Sequence, residues 1–571
     1  MSTFPRAVRR MRERGSTRRL AAVLALLAMA IPLAACSGIP SSGDVVTGSE
    51  VSQQDPGGAE YIVEGPAEGD SMEQILRGFI SAFKGSGNYD VARQFLSSGF
   101  VNEWEPRESV LVHSGSINYV AASEDTMDVV VGSATASVDA AGSYRRFSAA
   151  PSTLHYEFVR EEGEWRISAA PNGILLSESQ FDNVFSEHVL YFVDPGGTAL
   201  VPDLRWFPAG PTAATRVMSA LLAGPPAWLE GAATTAFPAG TQLTSPKRVA
   251  VEGSVASVDL TSEALAAPVG QRQLMRLQIE SSLDLVTAVS ISVDGSPFEI
   301  PDPSPGMPQP RYQVDNRPLV LDDGKFGYSA NGQISPIDGL SEQVEALSPR
   351  AVTLARGGGT AAVLNQNGVA VVRRNSEPVL LDSRPGLVAP DLDGYGYVWS
   401  VPADAPAALR ALAFDGTVHE ITSNLPADAR VADMEVSRDG ARIAILLATP
   451  AGPRLLVSAI VRGTGGSNVP TTLGVPVIDT TVPGTDARGI AWVDGTTVAT
   501  LTATGPDVSV VAHQVGGSSE SLGGPDDAVQ IVGGNGEAGL RVLGADGSLS
   551  ARRPSGWQTT QITADVLAVQ R

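Results

Sequence analysis

Met72, Ile75, Leu76, Phe79 and Phe83 recur at i, i+3, i+4, i+7 and i+11, the spacing that gathers apolar side chains on one face of an α-helix. Ser71 and Gln74 precede the stripe as a capping box, which predicts a helix beginning at Met72. A shorter stripe of Val91, Ala92, Phe95 and Leu96 predicts a second helix close behind it. The period then changes to that of strands. Thr126 to Val131 and Tyr156 to Val159 read as strands, and Glu161-Glu162-Gly163-Glu164 reads as the turn into another at Trp165-Arg166-Ile167. Helices followed by a strand meander predict an α+β domain over residues 61–178. The pattern is compatible with a sheet wrapped around one long helix.

From Val189 the pattern starts afresh. Val189-Leu190-Tyr191-Phe192-Val193 is a buried-strand run, Asp194-Pro195-Gly196-Gly197 a turn, and Ala199-Leu200-Val201-Pro202 its hairpin partner. Ala214, Val217, Met218, Leu221 and Leu222 form a helical stripe ended by Gly224-Pro225-Pro226. Strands at Val255 to Leu260 and Val289 to Val293 flank a helix whose stripe is Met275, Ile279, Leu283 and Val286. The order strand, strand, helix, strand, helix, strand predicts a second α+β domain over residues 185–300. Residues 301–310 contain five prolines and form a stiff linker, the clearest boundary in the chain.

Beyond the linker, over residues 311–571, no long helical stripe appears and short strands alternate with Asp-Gly or Asn-Gly pairs. The pairs fall at 323–324, 331–332, 338–339, 367–368, 393–394, 415–416, 439–440, 494–495 and 546–547, each a hairpin signal. Similar blocks recur around Pro349, Pro390, Ser437, Trp492 and Gly533, spaced by 41, 47, 55 and 41 residues. Propeller blades repeat about every 40 to 50 residues, so a β-propeller of five or six blades is predicted. A pair of β-sandwiches is the alternative, because the repeat is degenerate.

Charge alters the picture mainly at the amino-terminal end. The net charge is −22, yet residues 1–20 carry seven arginines against Glu13, and residues 21–35 carry no charge. A basic stretch followed by the uncharged run Leu20 to Ala35 reads as a secretory signal, too short for a comfortable membrane span. Leu33-Ala34-Ala35-Cys36 then has the pattern of a bacterial lipobox, which assigns residues 1–35 to a lipoprotein signal peptide and makes Cys36 the lipid-attachment residue, N-palmitoylated and S-diacylglycerated. Three acyl chains, at about 0.8 kcal/mol per buried CH₂, anchor a protein stably. Residues 36–60 follow as the lipidated cysteine and a flexible tether. Without residues 1–35 the chain has 33 basic and 61 acidic side chains, a net charge of −28. So acidic a surface excludes nucleic acid as the main partner. Cys36 is the only cysteine, which leaves no disulfide or thiolate metal site.

Candidate chemistry is sparse. His113, His155, His188, His419 and His513 lie far apart with no HExxH motif, and each reads as a surface or half-buried residue rather than a metal ligand. No phosphate-binding loop is present, and Gly463-Thr464-Gly465-Gly466 lacks a following helix. Gly69-Asp70-Ser71 resembles the opening block of a serine esterase family, but no Asp-x-x-His block accompanies it and Ser71 serves better as a helix cap. Carboxylate pairs for glycoside hydrolysis stay open in a chain with 62 acidic residues, since their separation is spatial. The expectation is a protein without catalytic residues, cofactor or metal.

Tyr191-Phe192-Val193-Asp194 with Leu200-Val201-Pro202, Leu221-Leu222-Ala223-Gly224-Pro225, Ala256-Ser257-Val258-Asp259-Leu260 and Val293-Asp294-Gly295 together resemble a GerMN domain. A lipobox, an exported amino-terminal domain, GerMN and a propeller carrying Leu387-Val388-Ala389-Pro390-Asp391-Leu392-Asp393 and Val436-Ser437-Arg438-Asp439-Gly440 resemble the actinobacterial lipoprotein LpqB family across essentially the whole chain. The resemblance implies a lipid-anchored protein on the outer face of the cell membrane, accessory to the MtrA–MtrB two-component system. It would contact the extracytoplasmic domain of the sensor kinase MtrB and influence signalling for cell wall and division. Only the lipobox cysteine carries over residue by residue, as Cys36. A module binding peptidoglycan glycan or muropeptide is the alternative, and an envelope hydrolase a more distant one.

Overall fold

The computed structural model describes residues 64–84, 89–284, 286–463 and 468–571; the expected signal peptide, Cys36 and tether lie outside them, as do residues 464–466 of the glycine-rich loop. Helix α1 (Met72–Ser81) begins at the predicted capping box: the Ser71 hydroxyl accepts from the Gln74 amide, and the Gln74 side chain accepts from the Ser71 amide at 2.9 Å. Its stripe is buried at Ile75, Leu76, Phe79 and Ile80, and a 3₁₀ turn extends it to Phe83. The second predicted helix is the single turn α2 (Asp90–Arg93).

Strands β1 (Ser109–Ala121), β2 (Thr126–Asp139), β3 (Tyr144–Glu161) and β4 (Glu164–Ala169) form the meander, and β5 (Ile174–Ser177) adds parallel to β1, giving the order β4-β3-β2-β1-β5. Register shifts at Val112/His113 and Ser114/Ile117 mark bulges in the β1–β2 ladder, which bend the sheet. Trp104, fully buried, fills the concavity against Phe79 and Phe83, with ring centroids at 4.9 and 5.8 Å.

Helix α3 (Glu178–Val184), opened by a second capping box of Ser177 and Gln180, runs without a linker into β6 (Phe185–Val193). The hairpin partner of β6 is β7 (Leu200–Pro208). Helix α4 (Ala213–Ala223) ends at Gly224 as predicted. Strands β8 (Ala250–Glu252) and β9 (Val255–Leu260) come next, then α5 (Val269–Ser282), β10 (Ala288–Val293) and β11 (Ser296–Pro297). Strands β9 and β10 pair in parallel, with α5 as their crossover, in the sheet β11-β10-β9-β8. The α5 stripe is shorter than its pattern: Met275 and Ile279 are buried on the helix, whereas Leu283 and Val286 lie past its end. Three residues of β8 were too few to show in the periodicity.

The carboxy-terminal region is a propeller of six blades among the described residues. Their inner strands are Val566–Gln570, Ala351–Leu354, Asp391–Leu392, Arg430–Val436, Asp486–Trp492 and Ala528–Val532, in blades 1 to 6. Blade 1 joins distant parts of the chain, because Val566–Gln570 pairs antiparallel with Leu319–Asp322, which continues into Lys325–Ala330 and Gln333–Ser335. That pairing of the last strand with the first closes the ring, and the same strand also pairs in parallel with blade 2 at Thr353↔Val569 and Leu354↔Gln570. Eight of the nine Asp-Gly and Asn-Gly pairs turn between adjacent strands of one blade; Asp338-Gly339 instead leads into helix α6 (Ser341–Glu345).

Candidate functional site

Charged side chains project from the inner strands into the propeller axis. Asp391 of blade 3 accepts the Val436 amide of blade 4 and both Nε (2.7 Å) and a terminal nitrogen of Arg571, which follows the inner strand of blade 1. The Arg571 guanidinium also lies 3.6 Å from Glu435, and all three side chains are at most 6% exposed. Glu435 in turn accepts the Trp492 amide at 2.8 Å, and Asp433 accepts the amides of Met434 and Ile490. Burial pushes Asp391 up to about 7, with Glu435 adding to the rise and Arg571 opposing it. Asp433 is half-buried and forms no ion pair among the described residues. Burial, and then the Glu435 charge, push it up to about 8. That shift favours the protonated form near neutral pH, against the two backbone amides that favour the ionised one.

At the face where the first and second strands of each blade meet, the β6–β7 hairpin docks. Asp194 organises the hairpin turn by accepting the amides of Gly196, Thr198 and Ala199, and it also accepts the Tyr395 hydroxyl of blade 3 at 2.6 Å. Burial raises the Tyr395 phenol and the Asp194 charge adds to it, so the bond keeps its proton. The Arg462 guanidinium stacks on the Tyr395 ring at 4.0 Å and pairs with Asp393 at 2.7 Å. Arg442, fully buried, pairs with Asp439, donates to the Pro202 carbonyl and lies over the Trp492 ring. Trp206 Nε1 donates to the Gly516 carbonyl at 2.9 Å. Gly516 has φ +94°, and a Cβ there would meet the Leu204 carbonyl at 2.9 Å, so the close approach requires glycine. Ala441 and Ala459 of blade 4 belong to the same apolar core as Phe192, Met218 and Ile279.

Two clefts lie along these junctions. One, of about 350 Å³, is bounded by the hairpin (Val189, Tyr191, Leu200, Pro202), the linker end (Pro310 to Gln313) and the first turns of blades 4, 5 and 6, which contribute Arg438, Asp439, Asp494 and Asn535. The other, of about 390 Å³, lies between the amino-terminal sheet, Trp206 and blade 5, with Tyr144, Arg146, Phe147, Glu178 and Phe181 on its walls.

The histidines do not assemble, and three differ from their expected setting. His113, His188 and His513 are buried, because each sits on an inward face of a strand. His513 bonds Thr500 and Ser519, and burial pushes it down to about 3. His155 pairs with Asp128 at 2.7 Å, and His419 meets the Tyr397 ring edge-on. No group of three or more His, Cys, Asp or Glu suited to a metal occurs among the described residues. Cys36, the one predicted site residue, lies outside them. Sequence reasoning did not single out Asp391, Asp433, Glu435, Arg438 or Arg571 as site residues.

Residues 65–182 match the family model of the lipoprotein LpqB N-terminal domain, residues 189–299 the one described as sporulation and spore germination, and residues 324–566 the lipoprotein LpqB beta-propeller domain. None of these descriptions names a catalytic activity. Lipoprotein LpqB of Thermobifida fusca is 25% identical over 79% of this chain and 83% of its own length. That of Streptomyces coelicolor is 25% identical over 97% of this chain and 98% of its own. With that of Cutibacterium acnes the identity is 29%, and the match spans about half of each chain, 48% and 47%. No helix among the described residues is long and apolar enough to cross a membrane. Two LpqB domain models flanking a germination-type domain, in the order of the strands described above, and relatives matched nearly end to end show that the chain belongs to the lipoprotein LpqB family.

Proposed function

We propose that the protein is anchored through a lipidated Cys36 to the outer face of the cell membrane and acts there as an accessory binding protein of the MtrA–MtrB system, contacting the sensor domain of MtrB. The observation that carries the proposal is the lipobox ahead of an LpqB-type chain. The second cleft supports a protein contact: it groups Tyr144, Phe147, Phe181 and Trp206 with Arg146, the residue types that dominate binding energy at interfaces. Phe147 is 37% exposed at its edge.

Two measurements test the reading. Membrane fractionation of Cys36→Ser should shift the protein from the membrane to the soluble fraction, and retention would remove the lipid anchor. Calorimetric titration of residues 37–571 with the extracytoplasmic domain of the kinase should give saturable binding that Phe147→Ala weakens by about tenfold, or about 1.4 kcal/mol. Absence of binding would remove the partner assignment.

A further inference from the structure

The cleft between the β6–β7 hairpin and blades 4 to 6 holds a cation, Arg438, that makes no direct ion pair among the described residues. Arg438 stands in the turn Ser437–Ala441, which is locked from within: the Ser437 hydroxyl donates to Asp439 at 2.8 Å and accepts the Arg442 amide, and Asp439 also accepts the Ala441 amide. The turn therefore fixes the backbone from which Arg438 projects. Its Nε is sealed from solvent and has no acceptor among the described residues. Burial lowers the guanidinium only to about 10, so it stays charged at neutral pH. The two carboxylates on the cleft wall are already engaged, Asp439 by Arg442 and Asp494 by the Thr496 amide and hydroxyl. Glu435 and Asp494 attract Arg438 and Arg571 repels it, all through space. On the rim, Arg311 faces the Tyr191 hydroxyl.

Arg438 is half-buried with a sealed Nε that has no acceptor, and an anion at its terminal nitrogens would recover part of that cost. From these observations we propose that the cleft binds the end of a short peptide, with its free α-carboxylate on Arg438 and an apolar side chain against Val189, Leu200 and Pro202. Charge selects a monoanion. Among the described residues Arg438 is the cleft cation whose sealed Nε lacks an acceptor, and Glu435 and Asp494 in its field oppose a dianion such as phosphate. Size selects a short segment, since about 350 Å³ stands near the lower bound of ligand sites. The wall selects a peptide over a fatty acid, because Gln313, Thr496 and Asp494 interrupt the apolar surface where a peptide backbone would run.

The test uses the full chain in detergent micelles, titrated calorimetrically with acetyl-Ala-Val-Ala as the free acid, the same peptide as its C-terminal amide, and inorganic phosphate. The acid should bind at least about tenfold more tightly than the amide. Arg438→Gln should abolish that difference, Arg438→Lys should restore part of it, and Arg311→Gln should weaken the acid by a smaller factor. Arg438→Gln removes a half-buried charge that makes no direct ion pair, so its melting temperature should stay within a few degrees of the parent's, which separates lost binding from lost fold. The proposal is overturned by equal binding of acid and amide, by phosphate binding as tightly as the acid, by an unchanged preference in Arg438→Gln, or by no heat from either peptide at about 1 mM.

Discussion

Replacing Arg571 by methionine asks how much the axial ion cluster contributes to closing the ring. The guanidinium holds both oxygens of Asp391 and stands 3.6 Å from Glu435, in a bore where none of the three side chains exceeds 6% exposure. Methionine retains the length and the apolar stem but leaves two carboxylates facing each other in low dielectric. Breaking a buried pair by removing one partner costs about 3–5 kcal/mol. Protonation limits the loss, because Asp391 already titrates at about 7 and rises further without its cation. In the unfolded chain the same carboxyl titrates near 4, so the folded variant holds an extra proton between about pH 4 and its raised value, and its stability falls as pH rises through that window. The expected deficit is about 3 kcal/mol at pH 8, shrinking to about 1 kcal/mol at pH 5. For a unit of this size 3 kcal/mol corresponds to a fall in Tm of about 6–12 °C. Thermal and guanidinium denaturation can be followed through the buried Trp399 and Trp492. Asp391→Asn in the Arg571→Met background should recover part of the loss, since it removes one of the stranded charges. A deficit below about 1 kcal/mol at pH 8, or one independent of pH, would refute the account of the axis as a desolvated ion cluster.

Three further substitutions follow from the same structure. Asp433→Asn removes a carboxyl that is protonated when folded, at about 8, and ionised above about 4 when unfolded; the parent should lose stability as pH rises from about 5 to 8 and the variant should show a flatter profile, measured as ΔG of unfolding against pH. Equal slopes would show that Asp433 is ionised in the fold. Tyr395→Phe deletes the 2.6 Å bond to Asp194 at the hairpin junction and should cost about 1–2 kcal/mol, read by denaturant midpoint, with the cleft between the amino-terminal sheet and blade 5 unaffected because it lies on another junction. Trp104→Ala empties the concavity of the amino-terminal sheet and should cost about 3–5 kcal/mol, seen as an early transition in calorimetry that leaves the propeller transition in place.

The elements were legible wherever one local period governed a segment. The Ser71 to Phe83 stripe and the Asp194 turn are each built from residues adjacent in sequence, and both occur where the pattern places them. The blade count was not legible, because five anchors mark blades 2 to 6 and the first blade is split along the chain. Blade 1 takes its inner strand from Val566–Gln570 and the rest from 319–335, so a search for consecutive copies never meets it whole. Strand β8, at three residues, falls below the length at which alternation can be recognised. The buried histidines misled for a related reason: position on the inward face of a strand depends on register, and bulges such as the one beside His113 shift that register without a mark in composition.

The candidate site left one trace in the sequence, and it can be used elsewhere. An inner propeller strand is flanked by its own blade and both neighbours, so its side chains are expected to be apolar on both faces. Val431-Ala432-Asp433-Met434-Glu435-Val436 breaks that expectation with carboxylates two residues apart, which alternation places on one side of the strand. The segment Leu387-Val388-Ala389-Pro390-Asp391 does so with one. Acidic residues inside otherwise apolar inner strands are tolerated when they face a common axis and are compensated, and the structure supplies Arg571 for Asp391 and Glu435 and the Met434 and Ile490 amides for Asp433, whose burial favours protonation. What the sequence could not indicate was that Arg438, beside the same axis, would be left over, because its lack of an acceptor depends on Asp439 being taken by Arg442 and on a hairpin more than 200 residues away closing the cleft above it.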